Sequence, residues 1–193
     1  MPPTGDGRTV MNGGALSCVR VARMFPVARL GETSSTIAVH PSVPAKNVRE
    51  LIALAKQNPG TIKFGTSGAG TLTHLGVELL ATQTGVKFVH VPYKGGGPAL
   101  IALMSGEVDM SGLAVVAAVS YVNSGRMRVL ALAGAQRTVQ MPDLPTTTEL
   151  GYPGVEFEPW YGLLAPTATP VAILDKINAD TNRLMDGPET ELQ

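Results

Sequence analysis

The chain has 193 residues, 44% of them hydrophobic, enough to bury one good core or two small ones. Fifteen basic and fifteen acidic residues cancel, so the charge gives no hint of a nucleic acid or an anionic membrane surface as partner. Cys18 is the only cysteine, which excludes a disulfide within the chain and a cysteine zinc site. No apolar run approaches the roughly 20 residues that a membrane-spanning helix needs.

Residues 1–22 are rich in glycine and contain no apolar h-region, so they do not read as a secretory signal peptide. Thr36–His40 is strand-like, and Pro41 and Pro44 end it. Asn47 is placed to cap a helix in which Val48, Leu51, Ile52, Leu54 and Ala55 recur at helical spacing, and Pro59-Gly60 terminates it. A strand at 61–64 precedes a helix from Thr71 to about Thr84, with Leu72, Leu75, Leu79 and Leu80 expected on its packed face. Lys87–Val91 is a further strand, and Gly95-Gly96-Gly97-Pro98 opens a helix to about Ser105. Val108–Met110 makes a short strand, and 115–122 fits a buried helix. Residues 126–133 form a strand whose apolar run 129–132 is typical of a parallel sheet. A turn-rich stretch (141–154), a strand (157–164) and a helix with proline at its start (170–185) complete the chain. This alternation predicts an α/β fold, its sheet covered on both faces, with ligands bound at the carboxyl ends of strands.

Two loops lie at such ends. In the first, Phe64-Gly65-Thr66-Ser67-Gly68-Ala69-Gly70-Thr71, small and hydroxylated residues lead into a helix. The first turn of a helix has unpaired N–H groups and partial positive charge, and glycines let the backbone approach a ligand closely. The pattern suits a carboxylate or a phosphate. It lacks the Gly-Lys-Ser/Thr of a Walker loop, and its glycines at 65, 68 and 70 miss the dinucleotide register. The simpler alternative is a glycine turn with Thr71 as a plain helix cap. The second loop is Val91-Pro92-Tyr93-Lys94-Gly95-Gly96-Gly97-Pro98.

Catalysis finds little support. Gly65-Thr66-Ser67-Gly68-Ala69 nearly spells a nucleophile elbow, but its last position is Ala69, and no His follows the first downstream Asp, Asp109, so a Ser–Asp–His order is impossible. Asp109 better suits structural hydrogen bonding, and His90 reads as a core or face residue of its strand. Three scattered histidines give no metal cluster. The reading is of a non-enzyme without cofactor.

The ordered set of phrases carries more than any one of them. His40-Pro41-Ser42-Val43-Pro44-Ala45-Lys46, the 64–71 loop with His74, Val89-His90-Val91-Pro92-Tyr93-Lys94-Gly95-Gly96, and Gly106-Glu107-Val108-Asp109 occur in sequence. Met141-Pro142-Asp143-Leu144-Pro145-Thr146, Gly151-Tyr152-Pro153-Gly154 and Trp160-Tyr161-Gly162-Leu163-Leu164-Ala165-Pro166 follow. Over about residues 25–186 the chain closely resembles the Bug (TctC) family, the substrate-binding proteins of tripartite tricarboxylate transporters. The resemblance implies a two-domain, type II periplasmic-binding-protein-like fold, truncated here at both ends. A divergent segment 1–24 would precede a crossover strand and domain 1 fragment (25–42). A Rossmann-like ligand-binding domain 2 (43–155) and a return segment with the C-terminal helix of domain 1 (156–193) would follow.

The same resemblance implies a small organic carboxylate as ligand, such as a di- or tricarboxylate or an aromatic acid, and membrane transporter subunits as partners in the periplasm. Thr66, Ser67, Gly68, Gly70 and Thr71 would present hydroxyls and N–H groups to the carboxylate, and His74 would support the loop. Tyr93, Lys94, Gly95 and Gly96 would form the second contact. Leu113 stands where many members carry a polar or acidic residue, which counts against recognition of an amino or hydroxyl group. The alternative is a domain remnant acting as an interaction module, a homodimer formed where strand 33–40 and helix 170–185 lack their partners.

Overall fold

The computed structural model describes residues 23–186; the segment 1–22 with Cys18, and residues 187–193, lie outside it. The chain forms two compact units, Glu32–Pro159 and the residues on either side, up to Gly31 and from Trp160. In chain order the strands are β1 (Met24–Glu32), β2 (Ser35–Val39), β3 (Lys63–Thr66), β4 (Val89–Pro92), β5 (Met110–Ala114), β6 (Arg128–Leu132) and β7 (Trp160–Pro166). The helices are α1 (Val48–Gln57), α2 (Leu72–Thr84), α3 (Gly96–Ser105), α4 (Val115–Asn123) and α5 (Val171–Met185).

The larger unit is built on a five-stranded sheet of order β4-β3-β5-β2-β6. β3 runs parallel to β4 and β5, while β2 is antiparallel to both β5 and β6. The sheet is therefore mixed, although the apolar run in β6 suggests a parallel one. That run arises because helices cover both faces, which buries Val129–Leu132 whichever way the neighbour runs. Along β2 the pleat sends Ile37 and Val39 into one cluster, with Val48, Leu51, Phe64, Val77 and Leu80, and Ala38 into the other, with Ala102, Leu103, Val108 and Ala118. The expectation that strand 33–40 lacks partners is thus corrected: β2 is hydrogen-bonded on both edges and buried along its whole length. The compact unit that contains β2 begins at Glu32.

Local chemistry fixes the helix ends. Asn47 Oδ1 accepts the Glu50 N–H at 2.9 Å, and Glu50 returns the bond by accepting the Lys46 N–H at 2.7 Å, which starts α1 as expected. α2 packs through Gly76, Val77, Leu80 and Ala81, whereas Leu72, Leu75 and Leu79 are exposed, so its packed face is rotated from the expected leucine face. The cause is Phe157, whose Cε1 lies 2.9 Å from where a Cβ on Gly76 would stand, with Cδ1 closer still. Only a glycine lets α2 settle on that ring. α4 buries only Val115 and Ala118, and Val116 is exposed, so it is not the buried helix its composition suggests.

The smaller unit pairs β1 with β7 and adds α5. Its described residues bury little: Val27 on β1 and Leu174 on α5, with β7 open along its length. The Asn178 side-chain amide donates to the Val27 carbonyl, tying α5 to β1.

Candidate functional site

Because β3, β4 and β5 run parallel, their carboxyl ends share one edge of the sheet, and the loops leaving them start α2, α3 and α4. The two loops singled out in the sequence are joined there by backbone bonds. Tyr93 N–H donates to the Thr66 carbonyl at 2.9 Å, and Gly95 N–H to the Ser67 carbonyl at 3.1 Å. Gly68 (φ 150°), Gly70 (φ 78°) and Gly95 (φ 111°) occupy conformations that a side chain rarely adopts, which explains the glycines as turn geometry.

Within the first loop most polar groups are already engaged. Thr66 is buried; its Oγ1 donates to the Gly68 carbonyl (3.1 Å), accepts the Gly68 N–H (3.3 Å) and shares a 2.6 Å bond with His90 Nε2. Thr71 stands at the N-cap of α2, yet its side chain caps nothing in the helix and donates instead to the Gly68 carbonyl at 2.8 Å. Gly70 N–H donates to His74 Nδ1 at 2.9 Å. Ser67 is the exposed hydroxyl of the loop. The N–H groups of the first turn of α2 have no carbonyl within the helix to meet and point along the helix axis toward the loop.

His74 and His90 stack with centroids 3.8 Å apart and rings 13° from parallel, and Phe64 stacks on His90 at 4.8 Å. The cluster follows from register: β4 pairs His90 with Phe64, so its side chain shares a face with Phe64 and Thr66, the face under α2. Since His74 Nδ1 accepts from Gly70, its neutral ring carries the proton on Nε2, 3.8 Å from Glu78 Oε1. Burial, then the neighbouring His74, hold His90 below its ordinary value of 6.5, with Glu78 pulling weakly the other way.

In the second loop, Tyr93 turns from the loop mouth. Its hydroxyl donates to Glu107 Oε1 at 2.8 Å, and its ring lies against Gly65. Burial, followed by the bond to Glu107, pushes the phenol above its ordinary value. Lys94, Gly96 and Gly97 are exposed. Leu113 faces the second core cluster and not the loops, so its apolar character is a packing matter. Asp109 Oδ2 accepts the Lys63 N–H at 2.7 Å, the structural use expected of it. A shallow crevice lined by Ser42, Val43, Pro44, Leu54, Thr61, Ile62 and Asp109 lies at the opposite edge of the sheet, at the amino ends of β3 and β5. Among the described residues no group of three His, Cys, Asp or Glu could hold a metal, and no helix is long and apolar enough to cross a membrane.

The residue that sequence reasoning misses is His90. The sequence alone reads it as a core or face residue, yet it bonds Thr66 and stacks on His74. A signal exists in principle, because parallel pairing of the two strands places His90 beside Phe64.

Comparison with known proteins bears directly on this architecture. The family described as "Tripartite tricarboxylate transporter family receptor" (TctC) matches residues 16–192. The chain is 38% identical over 162 residues to "UPF0065 protein in gbd 5'region" of Cupriavidus necator, covering 84% of this chain and 49% of the relative. It is 32% identical over 162 residues to "Protein BugT" of Bordetella pertussis, covering 84% and 50%. The chain thus spans about half the length of the curated relatives it matches. Among solved structures it is similar to R. palustris Rpa4515 with adipate (TM-score 0.82, 32% identity, 86% of this chain and 56% of that one). It is also similar to MatC (Rpa3494) from Rhodopseudomonas palustris with bound malate (TM-score 0.78, 32% identity, 86% and 56%). The periplasmic binding protein BugD matches at a TM-score of 0.80 with 29% identity, over 87% of this chain and 56% of that one. The mixed α/β fold is that of periplasmic binding proteins, aligned over about half of each solved chain. Family match and fold agree with the ordered motifs: the chain belongs to the TctC (Bug) family of tripartite tricarboxylate transporter receptors.

Proposed function

We propose that the chain is a solute-binding protein, and not an enzyme, whose unit Glu32–Pro159 receives a small organic carboxylate for a tripartite transporter in the periplasm. The observation that carries this reading is the pair of loops, 66–71 and 93–97, hydrogen-bonded to each other at the edge where α2 and α3 begin. Two helix N-termini aimed at one edge supply N–H donors and partial positive charge without any buried cation. Ser67 in the first loop and Lys94 in the second are both exposed. Thr66, Gly68, Gly70, Thr71 and His74 act by holding the loop's shape, Gly95 and Gly96 by opening the start of α3, and Tyr93 by bracing the second loop through Glu107. The bound adipate and malate of the two similar structures support a carboxylate as the ligand class.

Thermal unfolding of the chain with and without malate, adipate, citrate, benzoate and phosphate tests this. A ligand at 100 times its dissociation constant stabilises by about 2.7 kcal/mol. Ser67→Ala combined with Thr71→Val is expected to abolish the shift while circular dichroism stays unchanged. A folded sample that responds to none of these acids would refute the carboxylate reading.

A second reading is favoured by the smaller unit. Trp160 is 61% exposed, Val171 70% and Leu184 70%. Such surface favours self-association, and a chain whose unit of this kind pairs with a second copy would act as an interaction module.

A further inference from the structure

Gly70 is the donor of the anion loop that the structure withholds. Its N–H points at His74 Nδ1, 2.9 Å away, and not at the mouth. The lone pair that occupies it belongs to a neutral imidazole, because an Nδ1–H would face the Gly70 N–H donor to donor. Behind His74 stands His90, parallel at 3.8 Å, and two imidazolium rings at that separation repel strongly, so the stack holds at most one proton. His90 is the poorer site for it, since it sits against the buried Thr66 hydroxyl and burial disfavours its charged form. His74, with its side chain 22% exposed, is reached by solvent. The charged and titratable groups facing the pair are Glu78, one helical turn beyond His74 on α2, and the two rings themselves; β3 presents Phe64 and Thr66, which carry no charge.

We propose that carboxylate binding at this loop is coupled to one proton: as the anion enters, His74 Nδ1 takes a proton from solvent, and the Gly70 N–H is released to the ligand. The balance is simple. One hydrogen bond, Gly70 N–H to Nδ1, breaks; one N–H bond forms on Nδ1; one new bond runs from Gly70 to a ligand oxygen. The imidazolium then carries the positive charge nearest the anion, its Nε2–H still directed toward Glu78, while the neutral His90 ring stacked behind it keeps Thr66 in place. The site so described takes an anion and a proton together. This inference rests on the carboxylate reading above.

The sign follows. Binding that takes up a proton tightens as pH falls. For a single linked proton the dissociation constant changes by at most about tenfold per pH unit. Calorimetric titration of the full chain with malate from about pH 6 to 8.5, where its carboxylates stay ionised, is expected to show tighter binding toward acid. Repeating it in buffers of different ionisation enthalpy is expected to show net proton uptake approaching one. His74→Asn removes the ring that takes the proton, and its dissociation constant is expected to be flat with pH, whatever its absolute value. Nitrogen chemical shifts of the His74 ring, followed in the wild-type chain during the titration, give the same answer without a variant: Nδ1 moves from acceptor to protonated. Binding that is unchanged with pH, that tightens toward alkali, or that leaves Nδ1 unprotonated overturns the proposal with carboxylate recognition intact. Absence of binding by malate and adipate at every pH overturns both.

Discussion

At the scale of single residues, a hydroxyl or an amide is available to a ligand only if nothing nearby has claimed it. Thr66, Thr71 and Gly70 all sit in a loop whose composition announces an anion site, yet their polar groups close on Gly68, His90 and His74. Ser67 alone among these hydroxyls is exposed. Composition shows that donors are present; hydrogen bonding decides which of them are free. Gly76 makes the same point for packing. An alanine there would put its Cβ 2.9 Å from Phe157 Cε1 and nearer still to Cδ1. Gly76→Ala is expected to cost about 1–3 kcal/mol by overpacking, read from the urea midpoint. Adding Phe157→Leu should return part of that loss, since it removes the ring that clashes. An unaltered midpoint for Gly76→Ala would show that α2 does not rest on Phe157 as described.

At the scale of elements, the site is the product of two strands and two helices in register. β3 and β4 bring Thr66 and His90 to one face, α2 lays His74 across them, and the loop is shaped between. This coupling has a pH signature. Burial and His74 depress the folded-state value of His90 below its ordinary 6.5. Below that pH the unfolded chain therefore binds more protons than the folded one, so stability is complete above it and is lost as pH falls. His90→Phe retains an aromatic ring in the stack and removes the titration. The fall in urea midpoint between about pH 7.5 and 5.5 is expected to be smaller in that variant than in the wild type. Equal falls would assign the acid sensitivity to other groups. Helix starts are legible at this scale, as Asn47 and Glu50 show, because a capping box is satisfied within a few neighbouring residues. The packed face of α2 is not, because Phe157, far along the chain, rotates it.

At the scale of the molecule, the two units differ in how well they bury themselves. The larger encloses two apolar clusters on either face of its sheet. The smaller leaves Phe25, Trp160, Val171 and Leu184 between 51% and 70% exposed. Trp160 is the only tryptophan in the chain, which makes it a specific reporter of that surface. If two copies pair through this unit, iodide quenching of its fluorescence falls as protein concentration rises, and sedimentation shows a dimer. Quenching that is independent of concentration, with a monomer in the centrifuge, would remove the interaction-module reading and leave ligand binding untouched.

The order of motifs, the alternation of apolar runs and the glycine-rich loops determined the family, the α/β class and the strand ends at which those loops lie. These are local or linear properties, written in neighbouring residues and in their succession along the chain. The direction of β2, the rotation of α2, the choice of Ser67 over Thr66 and Thr71 as the open hydroxyl, and the stacking of His90 on His74 were decided by the tertiary structure. Each depends on a contact between segments separated in sequence. Spacing along one chain does not encode which distant atom arrives first at a hydrogen-bonding group or a patch of apolar surface; close packing does.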